Sequence, residues 1–367
     1  MNDHNLHELI DRYENNYAMV NNSVNDEIFK WKAVKCFRDV WFAEGADKED
    51  FSKLFARARK DSSVLIDNSR VSPTNGIVKM AEVCPDEVEL LFREVLFAPD
   101  GGDINLRQLN MEKFLAEIEK IRQKHFPQCW KYKQDRHAAS CYLSFVAPEE
   151  NFIYRYSEAE EFAKYIEFGV DIGSGEDFSL ERYYQLCEII VDALKQHKSL
   201  TDKYYKLIEN GPFYRDESLH LMAFDLMYCC RAYNFYTGLE HASKKDSIKE
   251  FRLEQLREQE RAEKQKKIDE LERQIHELEV SLEPYESISL LNVEVFQAKY
   301  GKGIIIEHEN ERIKVKFEDD EKSFIINRRF AMRPTFENDK EIVDAYTEYA
   351  DIVMKIERLK RELVALS

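Results

Sequence analysis

The sequence predicts a mainly α chain: an all-helical N-terminal body, then two heptad helices that flank a small β-rich insert. Three patterns predict it. Ile268, Leu271, Ile275, Leu278 and Leu282 recur at alternating steps of three and four residues, the a/d seam of a coiled coil. Ile352, Ile356, Leu359 and Leu363 repeat that alternation, continuing a series that opens at Ile342, Ala345 and Tyr349. Between the seams Ile313, Val315 and Phe317 alternate with Arg312, Lys314 and Lys316 at the period of a strand. The two seams are most simply satisfied as an antiparallel coiled-coil stalk with the insert at its tip. The first seam is too short to stand alone, so it needs the second helix, a second copy of the chain, or both. The expected divisions are a helical domain at 1–243, a charged helix and coiled coil at 244–284, a β module at 285–339 and a returning helix at 340–367.

Within the body, Leu6, Leu9, Ile10, Tyr13 and Tyr17 form one amphipathic stripe, and Ile28, Trp31, Val34, Cys36, Phe37 and Trp41 a second. Asp47 is a plausible N-cap for a helix through Phe51, Leu54, Phe55 and Ala58. Pro73 and Gly76 mark a loop, and a short helix then runs through Ile77, Met80 and Ala81. Pro85 opens a helix through Val88, Leu91, Phe92 and Leu96 that the cluster at 99–102 ends. Further helices are expected at Leu109 to His125, Glu158 to Phe168, Leu180 to Leu194 and Leu219 to Tyr236. The last is apolar nearly all round and is expected to be the central buried helix. In 244–267 charged residues occupy the would-be seam positions, and a solvated single helix is the alternative there.

The net charge of −17 opposes broad, sequence-blind affinity for nucleic acid, which rests on neutralising phosphates. Acidity is concentrated in the body, with 30 Lys+Arg against 42 Asp+Glu over 1–243, while the insert carries 9 against 11. The insert is therefore the less repelled surface. No apolar run approaches the roughly 18 residues of a membrane span, and the N-terminus has no signal-peptide pattern. Seven cysteines with no CxxC pair fit reduced, buried thiols, so a cytoplasmic location and no membrane partner are expected.

No catalytic constellation stands out. GxxxxGK[ST], HExxH and GxSxG are absent, which removes the Walker, zincin and nucleophile-elbow chemistries. The GSGEDFS loop at 173–179 puts acids directly after its glycines and would repel phosphate, so it reads as a surface turn. EDDEK at 318–322 supplies acids but reads as a hairpin loop, not a nuclease centre. No cofactor is expected. His125, Cys129, His137 and Cys141 carry an H-x3-C-x7-H-x3-C spacing that offers two nitrogens and two sulfurs to zinc; the alternative is packed cysteines and surface histidines. Arg328, Arg329 and Arg333, with Lys299, Lys302 and Lys322 near them, are the best candidates for phosphate contact; a solvated rim or an acidic protein partner are the alternatives. In the aromatic segment Trp130–Tyr156, Lys131, Lys133 and Arg155 can grip phosphates beside stacked bases, or snorkel from a core helix.

Two resemblances add to this reading. IFKWKAVKCFRDVW at 28–41, QDRHAASCYL at 134–143, IYRYSEAEEFAKYI at 153–166 and LHLMAFDLMY at 219–228 together resemble a helical N-terminal domain of McrB-type restriction ATPases and related bacterial phage-defence proteins. The likeness covers about 220 residues and implies a phage-defence context, without the motor domain that normally follows. His137 and Cys141 stand where that pattern has an Arg and an aliphatic residue, which weakens the basic character of their helix. VEVFQAKYGKGIIIEHENERIKVKFEDDEKSFIINRRF at 293–330 is similar to an SH3-like or KOW-like small barrel appended to DNA-handling proteins, with its YGxG turn at Tyr300–Gly303. The expectation is a non-enzymatic recognition or adaptor subunit of an antiphage system. Its expected partners are a second copy through the coiled coil, DNA or RNA, and another defence subunit or a phage protein. The alternative is a stand-alone phage-protein sensor or effector with a cryptic, metal-dependent site.

Overall fold

The computed structural model describes residues 1–209, 211–282, 285, 289–309, 312–325, 333–334 and 337–366. It divides into two units, Met1–Leu253 and Glu254–Ser367.

The first unit is all helical and begins with α1 (Asp3–Val20) and α2 (Phe29–Trp41). Their predicted stripes are buried except at Cys36, which is only partly covered. Helix α3 (Phe51–Ser62) is capped by Asp50, whose side chain accepts from the Lys53 N–H; Asp47 sits in a separate 3-10 turn, Ala46–Lys48. Helix α4 (Pro73–Val83) starts at Pro73 rather than after a loop, because proline at the first helical position gives up an N–H that has no partner there anyway. Gly76 lies inside that helix, and a Cβ there would stand 2.6 Å from Tyr132 Cβ. Close helix-to-turn approach, not turn formation, is why a glycine is needed.

Helix α5 (Pro85–Leu90) continues as one widened π turn, Leu91–Leu96. Helix α6 (Ile104–His125) begins five residues earlier than its apolar periodicity suggests, because Asp103 caps it through the Asn105 and Leu106 N–H groups. Next come α7 (Arg136–Val146), capped by Asp135, α8 (Tyr156–Tyr165) and α9 (Leu180–Gln196), capped by Ser179. Helix α10 (Lys198–Ile208) was not expected from the pattern; it buries only Leu200, Tyr204 and Ile208. Helix α11 (His220–Ala232) is buried on nearly every side, as its composition predicts.

The core of this unit is aromatic. Phe92 meets the rings of Phe51, Phe55, Phe97, Phe114 and Tyr142 at centroid distances between 4.9 and 5.6 Å. Most of these contacts are tilted or edge-on, the arrangement that the ring quadrupole favours.

Helix α12 (Lys244–Val280) starts in the first unit, where Lys244 pairs with Glu160 and Asp171 at 2.9 Å each. In the second unit, β1 (Glu294–Gln297), β2 (Gly301–Glu309), β3 (Arg312–Phe317), β4 (Glu321–Ile325) and the two-residue β5 (Arg333–Pro334) form one antiparallel sheet in the order β4-β3-β2-β1-β5. Gly301 takes the positive φ of the turn, but Gly303 lies within β2, where a Cβ would come within 2.7 Å of the Phe317 and Val315 side chains. Helix α13 (Glu337–Leu366) follows. Its first half serves the sheet: Tyr346 is buried with Leu290, Val293, Val295, Ile305, Ile313, Val315 and Phe317, and Tyr349 packs against that cluster. Of the predicted heptad positions on α13, Tyr349 thus packs on the sheet cluster and not with the apolar residues of α12. Ile275, Ile356 and Leu359 form a separate buried cluster with Leu271, Leu278, Leu282, Ile352 and Leu363 around it; Ile268 is outside it. No helix is long and apolar enough to cross a membrane among the described residues.

Truncating the aromatic hub has a definite expected cost. Phe92→Ala should destabilise the first unit by about 3–5 kcal/mol, the usual penalty for emptying a buried ring site. Phe42→Ala, at a 58% exposed position, should stay within about 0.5 kcal/mol. Urea unfolding of both variants checks this.

Candidate nucleic-acid interface

The outward face of the sheet carries exposed apolar and cationic side chains close together. Phe296 of β1 stands opposite Lys302 of β2, and Ile304 of β2 stands opposite Lys316 of β3. Cross-strand partners share a face, so these four side chains form one patch. Phe296 is 45% and Ile304 43% exposed, unusual for an aromatic and a β-branched side chain on a short sheet. Lys302 and Lys316 are exposed and have no ion-pair partner among the described residues. Farther along β3, Lys314 is committed to Glu307 at 3.3 Å and Glu321 at 3.0 Å. The same face also carries two acids, Glu294 of β1 opposite Ile304 and Glu321 of β4 opposite Lys316, so the two lysines stand in a patch of mixed charge.

Of the residues singled out in this module, Lys302 joins the patch. Lys299 lies in the β1-β2 turn with its ammonium 5.2 Å from the Tyr300 ring centroid. Lys322 is paired with Asp320. Arg328 and Arg329 lie outside the described residues. The backbone of Arg333 in β5 is in register with Phe296. Phe296, Ile304 and Lys316 were not singled out from the sequence, although a phenylalanine and an isoleucine on the polar phase of alternating strands were the available signal.

In the first unit the segment Trp130–Tyr156 divides. Trp130 is 64% exposed on a 3-10 turn with Lys131, and Lys133 follows it, also exposed. Ala138 to Phe145 of α7 are buried, while Glu149, Glu150 and Tyr156 are exposed. Arg155 lies 3.5 Å from Glu158 and lines a cavity of about 630 Å³ with His137, Tyr156, Ser174 and Gly175. The GSGEDFS loop and the aromatic segment therefore share one cavity; Lys131 and Lys133 are not among its lining residues.

The proposed zinc quartet does not converge. His137 turns both ring nitrogens to backbone carbonyls, those of Tyr154 at 2.9 Å and Leu65 at 3.1 Å. Cys141 is wholly buried, and burial pushes its thiol well up, away from the thiolate that zinc binds. The ligand atoms that do come together among the described residues, within 4.8 Å of one another, belong to Asp11, Glu14 and His197. His197 meets Asp11 at 2.8 Å and Glu14 at 3.2 Å, while Lys203 and Ser199 hold Glu14 at 2.6 and 2.9 Å.

The strongest electrostatic feature is a buried network that the sequence reading missed. Lys30 of α2 and Asp225 of α11 are 1% and 0% exposed and meet at 2.6 Å. Lys30 also pairs with Glu27, Tyr13 donates to Asp225, and Tyr233 donates to Glu27 at 2.7 Å. The ammonium lies 4.3 Å from the Tyr228 ring centroid. Burial alone pulls the Lys30 pKa down; Asp225, Cys229 and Glu27 more than reverse this and hold it above the ordinary lysine range. The signal was Asp225 itself, a carboxylate in the middle of an apolar run.

No family model, curated protein or solved structure matches this chain. The sites must be read from their own chemistry.

Removing the buried ammonium should cost far more than removing an exposed one. Lys30→Met leaves Asp225 and Glu27 facing each other without a cation, and about 3–5 kcal/mol of stability should be lost. Lys35→Met, which breaks an exposed pair with Asp39 one helical turn away, should change stability by under about 1 kcal/mol. Denaturant midpoints of the two variants decide it.

Proposed function

We propose that this chain is a non-enzymatic recognition or adaptor subunit of a bacterial antiphage, restriction-like system, working in the cytoplasm. The β module is its nucleic-acid contact. The observation that carries this reading is the patch of Phe296 and Ile304 set among Lys302 and Lys316, because an exposed ring with unpaired cations beside it combines a stacking platform with phosphate contacts. In this reading the sheet closes as an SH3-like barrel, and the helices that share Ile275, Ile356 and Leu359 form an antiparallel coiled-coil stalk. The resemblance of 28–41, 134–143, 153–166 and 219–228 to restriction-ATPase N-terminal domains supports the defence context. The helical body is then the part that meets a partner subunit or a phage protein.

A second reading, a stand-alone sensor or effector with a metal-dependent site, is favoured by one observation: the convergence of Asp11, Glu14 and His197. Lys203 competes for the same carboxylate of Glu14, which weighs against it.

Fluorescence anisotropy with labelled single-stranded and duplex DNA across a salt series tests the first reading. Binding should weaken with salt, and Lys302→Ala with Lys316→Ala should lower the salt slope by about one to two units. Phe296→Ala should weaken binding by an amount independent of salt, since stacking carries no counterions. Absence of binding at low salt, or a slope unchanged in the lysine variant, would remove the module from this role.

A further inference from the structure

We infer that two copies of this chain associate antiparallel through one face of the pair of helices α12 and α13. The inference is independent of the nucleic-acid reading, since it concerns the helices and not the exposed face of the sheet. It leaves the contact of Ile275 with Ile356 and Leu359 intact inside each chain.

Two hollows mark that face. One of about 750 Å³ lies between Leu278 of α12 and residues 344–358 of α13. The other, of about 610 Å³, lies between residues 266–271 of α12 and 362–366 of α13. Their linings on α13 include Asp344, Asp351, Arg358 and Ala365, which recur every seven residues, so both hollows open on the same flank of the seam. Along it Leu271, Leu278 and Ile352 are only partly covered, and Met354 is 38% exposed. The other flank is engaged within the chain: Lys360 pairs there with Glu279 at 2.7 Å, and Tyr346 enters the sheet core.

Charge marks the two ends of the face. Over 264–267 α12 carries Lys264, Lys266 and Lys267 and no acid, while over 344–351 α13 carries Asp344, Glu348 and Asp351 and no Lys or Arg. Lys266 and Lys267 are exposed beside Ala365, with no ion-pair partner among the described residues. Asp344 and Glu348 are exposed at the other end, where Glu348 accepts from the Tyr285 hydroxyl.

These ends cannot meet within one chain. Asp344 and Ala365 are 21 residues apart on α13, or about 31 Å at about 1.5 Å per residue, several times the distance over which salt screens exposed charges. A second copy turned end for end brings the lysines of each chain onto the acids of the other, and the two-fold axis makes both contacts at once. A parallel copy would set lysine on lysine and acid on acid. An apolar strip with one basic and one acidic end is therefore complementary to itself in the antiparallel sense alone, and a second copy is the occupant that its charges select.

Sedimentation velocity of the full chain over a concentration series is the test, and a reversible dimer is expected. Lys266→Glu with Lys267→Glu should raise its dissociation constant at least about tenfold, and so should Asp344→Lys with Glu348→Lys, because each puts like charges opposite one another. All four substitutions in one chain should restore the dimer, since the charges are then exchanged across the interface and not removed. That recovery separates a lost contact from a misfolded variant, and it separates antiparallel from parallel pairing, which the exchange would not rescue. A monomer at every concentration, a dimer indifferent to either double variant, or a fourfold variant that stays monomeric would overturn the inference.

Discussion

The buried Lys30–Asp225 contact is the constraint on which the helical unit depends. It joins two segments 195 positions apart, at a place where neither ion has access to water. An ammonium and a carboxylate removed from solvent cost several kcal/mol each unless they meet in good geometry with their remaining valences filled. Here Glu27 is a second carboxylate on Lys30, and Tyr13 and Tyr233 supply hydroxyl donors to the two acids. The Tyr13 phenol is held well above its usual range by burial first and by Asp225 next, so it remains a donor throughout the accessible pH range. A one-residue slip of α11 would put Phe224 or Leu226 in place of Asp225 and strand the charge. Such a network contributes register more than net stability.

That register in turn fixes the neighbouring chemistry. α11 carries Asp225 in its middle and His220 at its first turn. Locking the middle of the helix therefore sets where His220 stacks on Phe152. α1, fastened to the same helix through Tyr13, carries Asp11 and Glu14 at positions that meet His197. The polar groups of this unit are placed by a shared internal anchor, whereas those of the sheet are placed by strand register. In the sheet a one-residue shift would turn Phe296 and Lys302 inward and bury a cation, so the exposed patch is as strongly specified as the core beneath it.

How much of this was legible in the sequence follows from which physics is local. The stripes of α1 and α2, the all-round burial of α11 and the alternation of β3 are periodic signals, and the structure realises them. Helix α10 was passed over although Leu200, Tyr204 and Ile208 recur at helical spacing. Gly76 misled because a glycine required by a neighbour 56 positions away looks like a glycine required by a turn. The candidate sites were less legible for the same reason. The quartet of His125, Cys129, His137 and Cys141 had a regular spacing, yet His137 is claimed by two carbonyls from distant segments. Asp11, Glu14 and His197 had no spacing to notice, since 183 positions separate Glu14 from His197. Phe296 and Ile304 look like ordinary strand residues until cross-strand register puts each opposite a lysine.

The heptads show where a correct local pattern yields an incomplete tertiary account. The seam of the second helix reads continuously from Ile342 to Leu363, but Tyr346 and Tyr349 turn to the sheet core, and only the stretch from Ile352 onward meets Leu271 to Leu282. A seam of that length is marginal by itself, because helix pairing must first offset the cost of nucleation. Its stability is instead continuous with that of the sheet, since one helix carries both clusters. Ile275, Ile356 and Leu359 are already buried against one another within a single chain. A dimer built on the same residues would have to open that contact and leave three apolar side chains without cover until the second copy arrived. Leu271, Leu278, Leu282, Ile352 and Leu363 are only partly covered around that contact, so they are the apolar surface that the pair of helices leaves over.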